Sequence, residues 1–117
     1  MTEQTELGST TALATILTAL ARTIDGRVGA DPAASYTARL LSEGPLICGK
    51  KIAEEGAELA LALAAQGADE TVEEAADLLY HMLVGLRSKA VSLDAVARAL
   101  AARQGLSGLI EKANRTE

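Results

Sequence analysis

Six carboxylates in two short stretches are the residues best able to do chemistry. "KKIAEEGAEL" (50–59) holds Glu54, Glu55 and Glu58, and "EEAADLLYHM" (73–82) holds Glu73, Glu74, Asp77 and the single histidine, His81. Residues three or four apart share one face of a helix, so Glu55 and Glu58 project together, as do Glu54 and Glu58. Glu74 and Asp77 are paired in the same way, and so are Glu73 and Asp77. Two helices joined by a short loop pack antiparallel, and the two acid sets lie at similar distances from the intervening loop, so they can face each other. Like charges at this spacing cost a few tenths of a kcal/mol per pair. Four carboxylates meeting between helices repel further unless they take up protons or a cation. Oxygen-only donors suit a hard cation, Mg²⁺ or Mn²⁺, rather than zinc.

Two other assignments stay open for these acids. They can be a solvated face with Lys50 and Lys51 as partners; Lys51 and Glu55 are spaced for an exposed pair of small energetic weight. Thr71-x-x-Glu74 also matches a capping box, which would turn Glu74 back to the start of its helix, whereas a cap at Asp69 leaves it free. His81 lies four residues after Asp77 and has the pKa range of a general base. A lone histidine in an apolar stretch more often donates to a nearby carboxylate or carbonyl and is structural, and that is the preferred reading. Tyr80 reads as a packed ring with a satisfied hydroxyl. Cys48, the single cysteine, reads as a small apolar filler; it allows no intrachain disulfide and, with one histidine, no zinc cluster.

The elements that must position these groups are helices. Of the 117 residues, 49% are hydrophobic but only 2% aromatic, with no Trp and no Phe, so the core is Leu, Ala, Ile and Val. Ala and Leu lead the helix-propensity ranking. Leu13, Ile16, Leu17, Leu20 and Ile24 recur at helical spacing and predict a helix over 11–25. Asp31 followed by Pro32 reads as N-cap and first residue of a second helix, 32–43, ended by Gly44-Pro45. A third runs 45–66 to Gly67. Its "LALALAA" (59–65) alternates like a strand but lacks β-branched and aromatic residues, and Leu and Ala on every side predict a helix buried on most sides. A fourth spans 69–89, and Ser92 caps a fifth that ends at Gly105.

The expected fold is therefore all-α: one domain over 11–105, about five helices, with a flexible N-terminus at 1–10 and a short last turn and polar tail at 106–117. Two long helices apolar on more than one face exceed what the short ones can cover, so a second copy of the chain, most simply a two-fold homodimer, is expected to complete the bundle.

The formal net charge of −5 argues against nucleic-acid binding by phosphate neutralisation. It leaves room for a phosphorylated small molecule bound through a metal cation. "TALATILTALA" (11–21) is preceded by Glu3 and Glu6 without Lys or Arg, the wrong charge for a signal peptide. No apolar run is long enough to span a bilayer. A soluble cytoplasmic protein is expected.

"EEGAE" followed by "EAAD" fits the Glu-Glu-x-x-Glu … Glu-x-x-Asp pattern of the all-α nucleotide pyrophosphohydrolases, the MazG-like superfamily. The longer segments "DPAASYTARLLSEGP", "KKIAEEGAELALA" and "EEAADLLYHMLVGL" resemble one branch of it, the phosphoribosyl-ATP pyrophosphohydrolases of histidine biosynthesis. Ala53 and Gly56 look exchanged relative to the family pattern, and Gly56 costs a helix about 1 kcal/mol against Ala. The cysteine and histidine ligands of the cyclohydrolase domain fused to some members are not seen, so the chain resembles the stand-alone form.

The resemblance implies a MazG-like bundle and hydrolysis of phosphoribosyl-ATP to phosphoribosyl-AMP and pyrophosphate. It also implies Mg²⁺ dependence and a homodimer in a bacterial-type cytoplasm. By the motif match, Glu55, Glu58, Glu74 and Asp77 would be metal ligands, and Glu54 would bind a second ion or orient the attacking water. Apart from the resemblance, Arg39, Lys50 and Lys51 are the basic residues nearest in sequence and are expected to touch phosphate or ribose, with hydrogen bonds from Ser35, Tyr36 and Thr37. A house-cleaning hydrolase of aberrant nucleoside triphosphates, from the same superfamily, and a non-enzymatic helical interaction module are the alternatives.

Overall fold

The computed structural model describes residues 10–104. They form five helices: α1 (Thr10–Asp25), α2 (Tyr36–Glu43), α3 (Pro45–Ala65), α4 (Ala68–Ser88) and α5 (Leu93–Arg103). The expected last turn and tail, and most of the expected N-terminal segment, lie outside the described residues.

The two long helices, α3 and α4, make the most extensive contact in the fold, antiparallel across the connection at Gln66 and Gly67. Helix α2 packs on both, and α1 lies against α4. The core forms where these elements meet, from Ile24, Leu40, Cys48, Leu83 and Val84, flanked by half-buried Leu17, Leu20, Leu41, Tyr80 and Leu93. Cys48 fills space as expected: it is buried, and its thiol donates to the Leu40 carbonyl at 3.3 Å. Gly85 brings α4 close to α3, since a Cβ there would lie 2.8 Å from Ile52 Cδ1.

The second helix starts later than the Asp31-Pro32 signal predicts. Asp31 forms a single turn, its side chain accepting from Ala33 N–H at 3.0 Å and its carbonyl from Ala34 N–H at 3.0 Å. Ser35 is extended (φ −148°, ψ 124°), which stops propagation, and its hydroxyl accepts from Ala38 N–H as the true N-cap. Gly44 then turns the chain between α2 and α3 at φ 92°, a conformation natural to glycine. The end of α4 has no glycine. Val91 N–H bonds Leu86 C=O and Ala90 N–H bonds Arg87 C=O, a Schellman closure that holds Ala90 at φ 60°.

The expectation that "LALALAA" is buried on most sides is not met within one chain. Ala62 is fully buried, but Leu61 and Leu63 are 62% and 68% exposed. Alanine at this turn lets α3 sit closely on its neighbours by one narrow face and leaves the leucines outside.

Candidate active site

Helix α4 starts at Ala68, after Gly67 as N-cap, and this settles the position of Glu74. Glu70, not Glu74, reaches back to the helix start, its Oε1 accepting from Gly67 N–H at 3.1 Å. Thr71 lies inside the first turn and its hydroxyl donates to the Gly67 carbonyl at 2.9 Å. Glu74 is thereby free to point across to α3.

There it meets Glu55 and Glu58, and one carboxylate oxygen from each of the three lies within 4.8 Å of the others. Burial is graded: Glu55 is only 8% exposed, Glu74 is half-buried and Glu58 faces solvent. Among the described residues Glu74 Oε1 is sealed from solvent and meets no hydrogen-bond donor. Burial lifts the Glu74 carboxyl above the usual carboxylate range; contact with Glu58, then the charges of Glu58, Asp77 and Glu55, push it the same way. An orphaned buried oxygen in an all-oxygen donor set is what a hard divalent cation would satisfy. Asp77 is exposed and outside the group of three, although its charge bears on Glu74.

Glu54 stands beside the trio in an ion pair with Lys51 at 3.2 Å, and the same ammonium lies 3.9 Å from Glu55. The hydrogen bond to Glu54 raises the Lys51 pKa, so the side chain stays cationic. Lys50, one residue away, is exposed.

The start of α2 contributes the remaining expected residues. The Ser35 hydroxyl is committed to its cap, leaving less of it for a ligand. The Tyr36 hydroxyl lies 3.1 Å from His81 Nε2, and the Thr37 hydroxyl is hydrogen-bonded to the Tyr80 hydroxyl. His81 Nδ1 lies 2.8 Å from the Asp77 carbonyl, which can only accept. Nδ1 therefore carries a proton and donates, and Nε2 shares its hydrogen bond with the Tyr36 hydroxyl. Burial raises the Tyr36 hydroxyl above its ordinary pKa, with Lys51, Tyr80, Arg39 and Glu55 as charged or ionisable neighbours. The three rings pack together: Tyr80 and His81 at 4.9 Å edge-on, Tyr36 and His81 at 5.9 Å edge-on, Tyr36 and Tyr80 at 6.4 Å nearly parallel. The Arg39 guanidinium lies 5.2 Å from the Tyr36 ring centroid.

The carbonyl partner of His81 and the satisfied hydroxyl of Tyr80 agree with the sequence reading. The pairings of 36 with 81 and 37 with 80 were not foreseen. The available signal was that one of the two tyrosines, Tyr80, and the single histidine, His81, sit within the acidic stretch 73–82.

Three acids converging between antiparallel helices, with basic and aromatic groups beside them, suit a phosphate-bearing ligand carried by a metal ion. Comparison with known proteins points the same way. Residues 17–104 match the family described as phosphoribosyl-ATP pyrophosphohydrolase. A protein of Caulobacter vibrioides (strain NA1000 / CB15N) named phosphoribosyl-ATP pyrophosphatase is 50% identical over 103 residues, 88% of this chain and 95% of that protein. One of the same name from Caulobacter sp. (strain K31) is 54% identical over 100 residues, 86% of this chain and 92% of that protein. The histidine biosynthesis bifunctional protein HisIE of Wolinella succinogenes is 46% identical over 112 residues, 96% of this chain but 49% of that protein. Together with the helical fold and its acidic group, a family match across most of the sequence establishes that this chain belongs to the phosphoribosyl-ATP pyrophosphohydrolase family.

Proposed function

We propose that this chain hydrolyses the α–β phosphoanhydride of phosphoribosyl-ATP, giving phosphoribosyl-AMP and pyrophosphate, a step of histidine biosynthesis carried out in the cytoplasm. The observation that carries the reading is the convergence of Glu55, Glu58 and Glu74 within 4.8 Å, with one buried oxygen of Glu74 unpartnered. Its support is the near-half identity to relatives named for that activity.

In this reading Glu55, Glu58 and Glu74 hold Mg²⁺ (Mn²⁺ would fit the same donors), with Asp77 closing the site from its exposed side. When bound, the cation neutralises phosphate oxygens and lets an acidic protein accept a polyanion. Phosphoryl transfer needs positioning more than covalent help. Glu54, held by Lys51, is placed to accept a hydrogen bond from the attacking water. Lys51 keeps the negative charge of Glu54 and Glu55 from building up as the substrate enters. The residues sit on helices anchored by buried Leu83 and Val84, so the geometry rests on rigid elements rather than loops.

The working form is a homodimer. Leu46, Leu61, Leu63 and Val72 are all more than half exposed on α3 and α4, and a second copy would cover apolar surface of this kind.

The test is substrate profiling with Mg²⁺. Pyrophosphate release from phosphoribosyl-ATP is expected. Turnover of aberrant nucleoside triphosphates without turnover of phosphoribosyl-ATP would move the chain to the house-cleaning branch of the superfamily.

A further inference from the structure

Arg39 and Lys51 both bear on Tyr36 but are held differently. Lys51 is tied to Glu54 and Glu55. Arg39 makes no ion pair with a described carboxylate; its guanidinium rests on the Tyr36 ring, 5.2 Å from the centroid. A guanidinium held by an aromatic face keeps its N–H donors free for an incoming anion. The platform beneath it is fixed. Tyr36 is hydrogen-bonded to His81, and His81 donates to the backbone carbonyl of Asp77. Thr37, next along α2, pins Tyr80, whose ring packs against both Tyr36 and His81. Two hydrogen bonds and one ring contact thus connect the Arg39 fork to the turn of α4 that carries Glu74 and Asp77.

Building on the hydrolase reading above, we propose that Arg39, held in place by Tyr36, is the specificity residue for the phosphate of the phosphoribosyl group. That phosphate is a feature separating phosphoribosyl-ATP from ATP, and it stands at the opposite end of the substrate from the triphosphate. The triphosphate goes to the carboxylate-held cation. The second anionic end, near an acidic protein surface, needs a positive group not already neutralised. A planar guanidinium matches a phosphate with two parallel hydrogen bonds, which the compact lysine ammonium does not. Tyr36 and His81 act through Arg39 as positioning residues.

The experiment is calorimetric binding of phosphoribosyl-AMP and of AMP, with Mg²⁺ present, to the wild-type chain and to R39A, R39K and Y36A. The two ligands differ only in the phosphoribosyl group. Wild type is expected to prefer phosphoribosyl-AMP. R39A should cut that preference at least about tenfold, the scale of a lost charge-assisted contact. R39K should recover part of it, and Y36A should lower it with Arg39 still present. In turnover, R39A should raise KM for phosphoribosyl-ATP by a similar factor while kcat changes far less. An R39A protein, folded by circular dichroism, that keeps the wild-type preference overturns the proposal. If R39A does not fold, R39K decides: a preference equal to wild type overturns it. A wild-type chain inert on phosphoribosyl-ATP would instead sink the assigned activity and this inference together.

Discussion

Glu74 Oε1 is buried beside two other carboxylates, with no donor among the described residues to meet it. In the proposed site Glu58 and Glu74 are metal ligands, and losing a ligand should cost more than losing a group that merely orients one, which typically costs 10–100-fold, so E58Q and E74Q are each expected to lower pyrophosphate release by at least about 100-fold. Circular dichroism of the same samples should show the helices retained; unchanged activity in both variants would favour a solvated acidic face. Glu74 also gives the metal-free protein a pH dependence. Its pKa is raised in the fold, so between the ordinary carboxylate range and the raised value the folded chain binds more protons than the unfolded one. Its contribution to stability is fully present below the unfolded pKa and lost as pH rises through the folded one. In chelator, the Tm difference between wild type and E74Q should therefore move against wild type as pH climbs out of the mildly acidic range. Mg²⁺ should reverse that at neutral pH. A difference that does not vary with pH would show that Glu74 is not held as described.

At the scale of elements, the relative placement of α3 and α4 decides which acids meet. Gly85 is where the two approach most closely among the described glycines, with room for a Cβ only if Ile52 moves. G85A sets the helix gain of Gly to Ala, about 1 kcal/mol, against displacing the mobile end of Ile52, so its net change is expected to be smaller than that gain, and I52V in the same chain should free more of it. Gly56, by contrast, is open: a Cβ added there would meet nothing within 4 Å, and its φ is not in the left-handed range. G56A should stabilise the chain by about 0.5–1 kcal/mol through helix propensity. Thermal melts should show a larger upward shift for G56A than for G85A. The helix types and most boundaries were legible from periodicity and from Ser92 and the two turn glycines, Gly44 and Gly67. The start of α2 was not, because Asp31-Pro32 and Ser35 both offer cap chemistry four residues apart and only the backbone at Ser35 decides between them.

For the whole molecule, the exposed leucines of α3 are the main clue. Ala62 is buried while Leu61 and Leu63 flank it in solvent, and Leu46 is 85% exposed at the other end of the same helix. A homodimer should appear in light scattering as twice the chain mass, with a Tm that rises with protein concentration. L63E is expected to shift the protein toward the single-chain mass. A wild-type chain that runs as a monomer at all concentrations would rule the dimer out. No helix among the described residues is long and apolar enough to cross a membrane.

From the sequence alone came the helical class, the facing of acids three and four residues apart, and the family, because 3.6-residue periodicity and local motifs are short-range properties. Contact between helices is not. Spacing placed Glu74 and Asp77 on one side of α4, and only the rotation and register of α4 against α3 brought Glu74 to Glu55 and Glu58 while leaving Asp77 outside. The sequence likewise offered Arg39, Lys50 and Lys51 as candidate cations without ranking them. The tertiary structure separated them, pairing Lys51 with carboxylates and setting Arg39 on Tyr36, since a charge's partners depend on which side chains packing brings within reach.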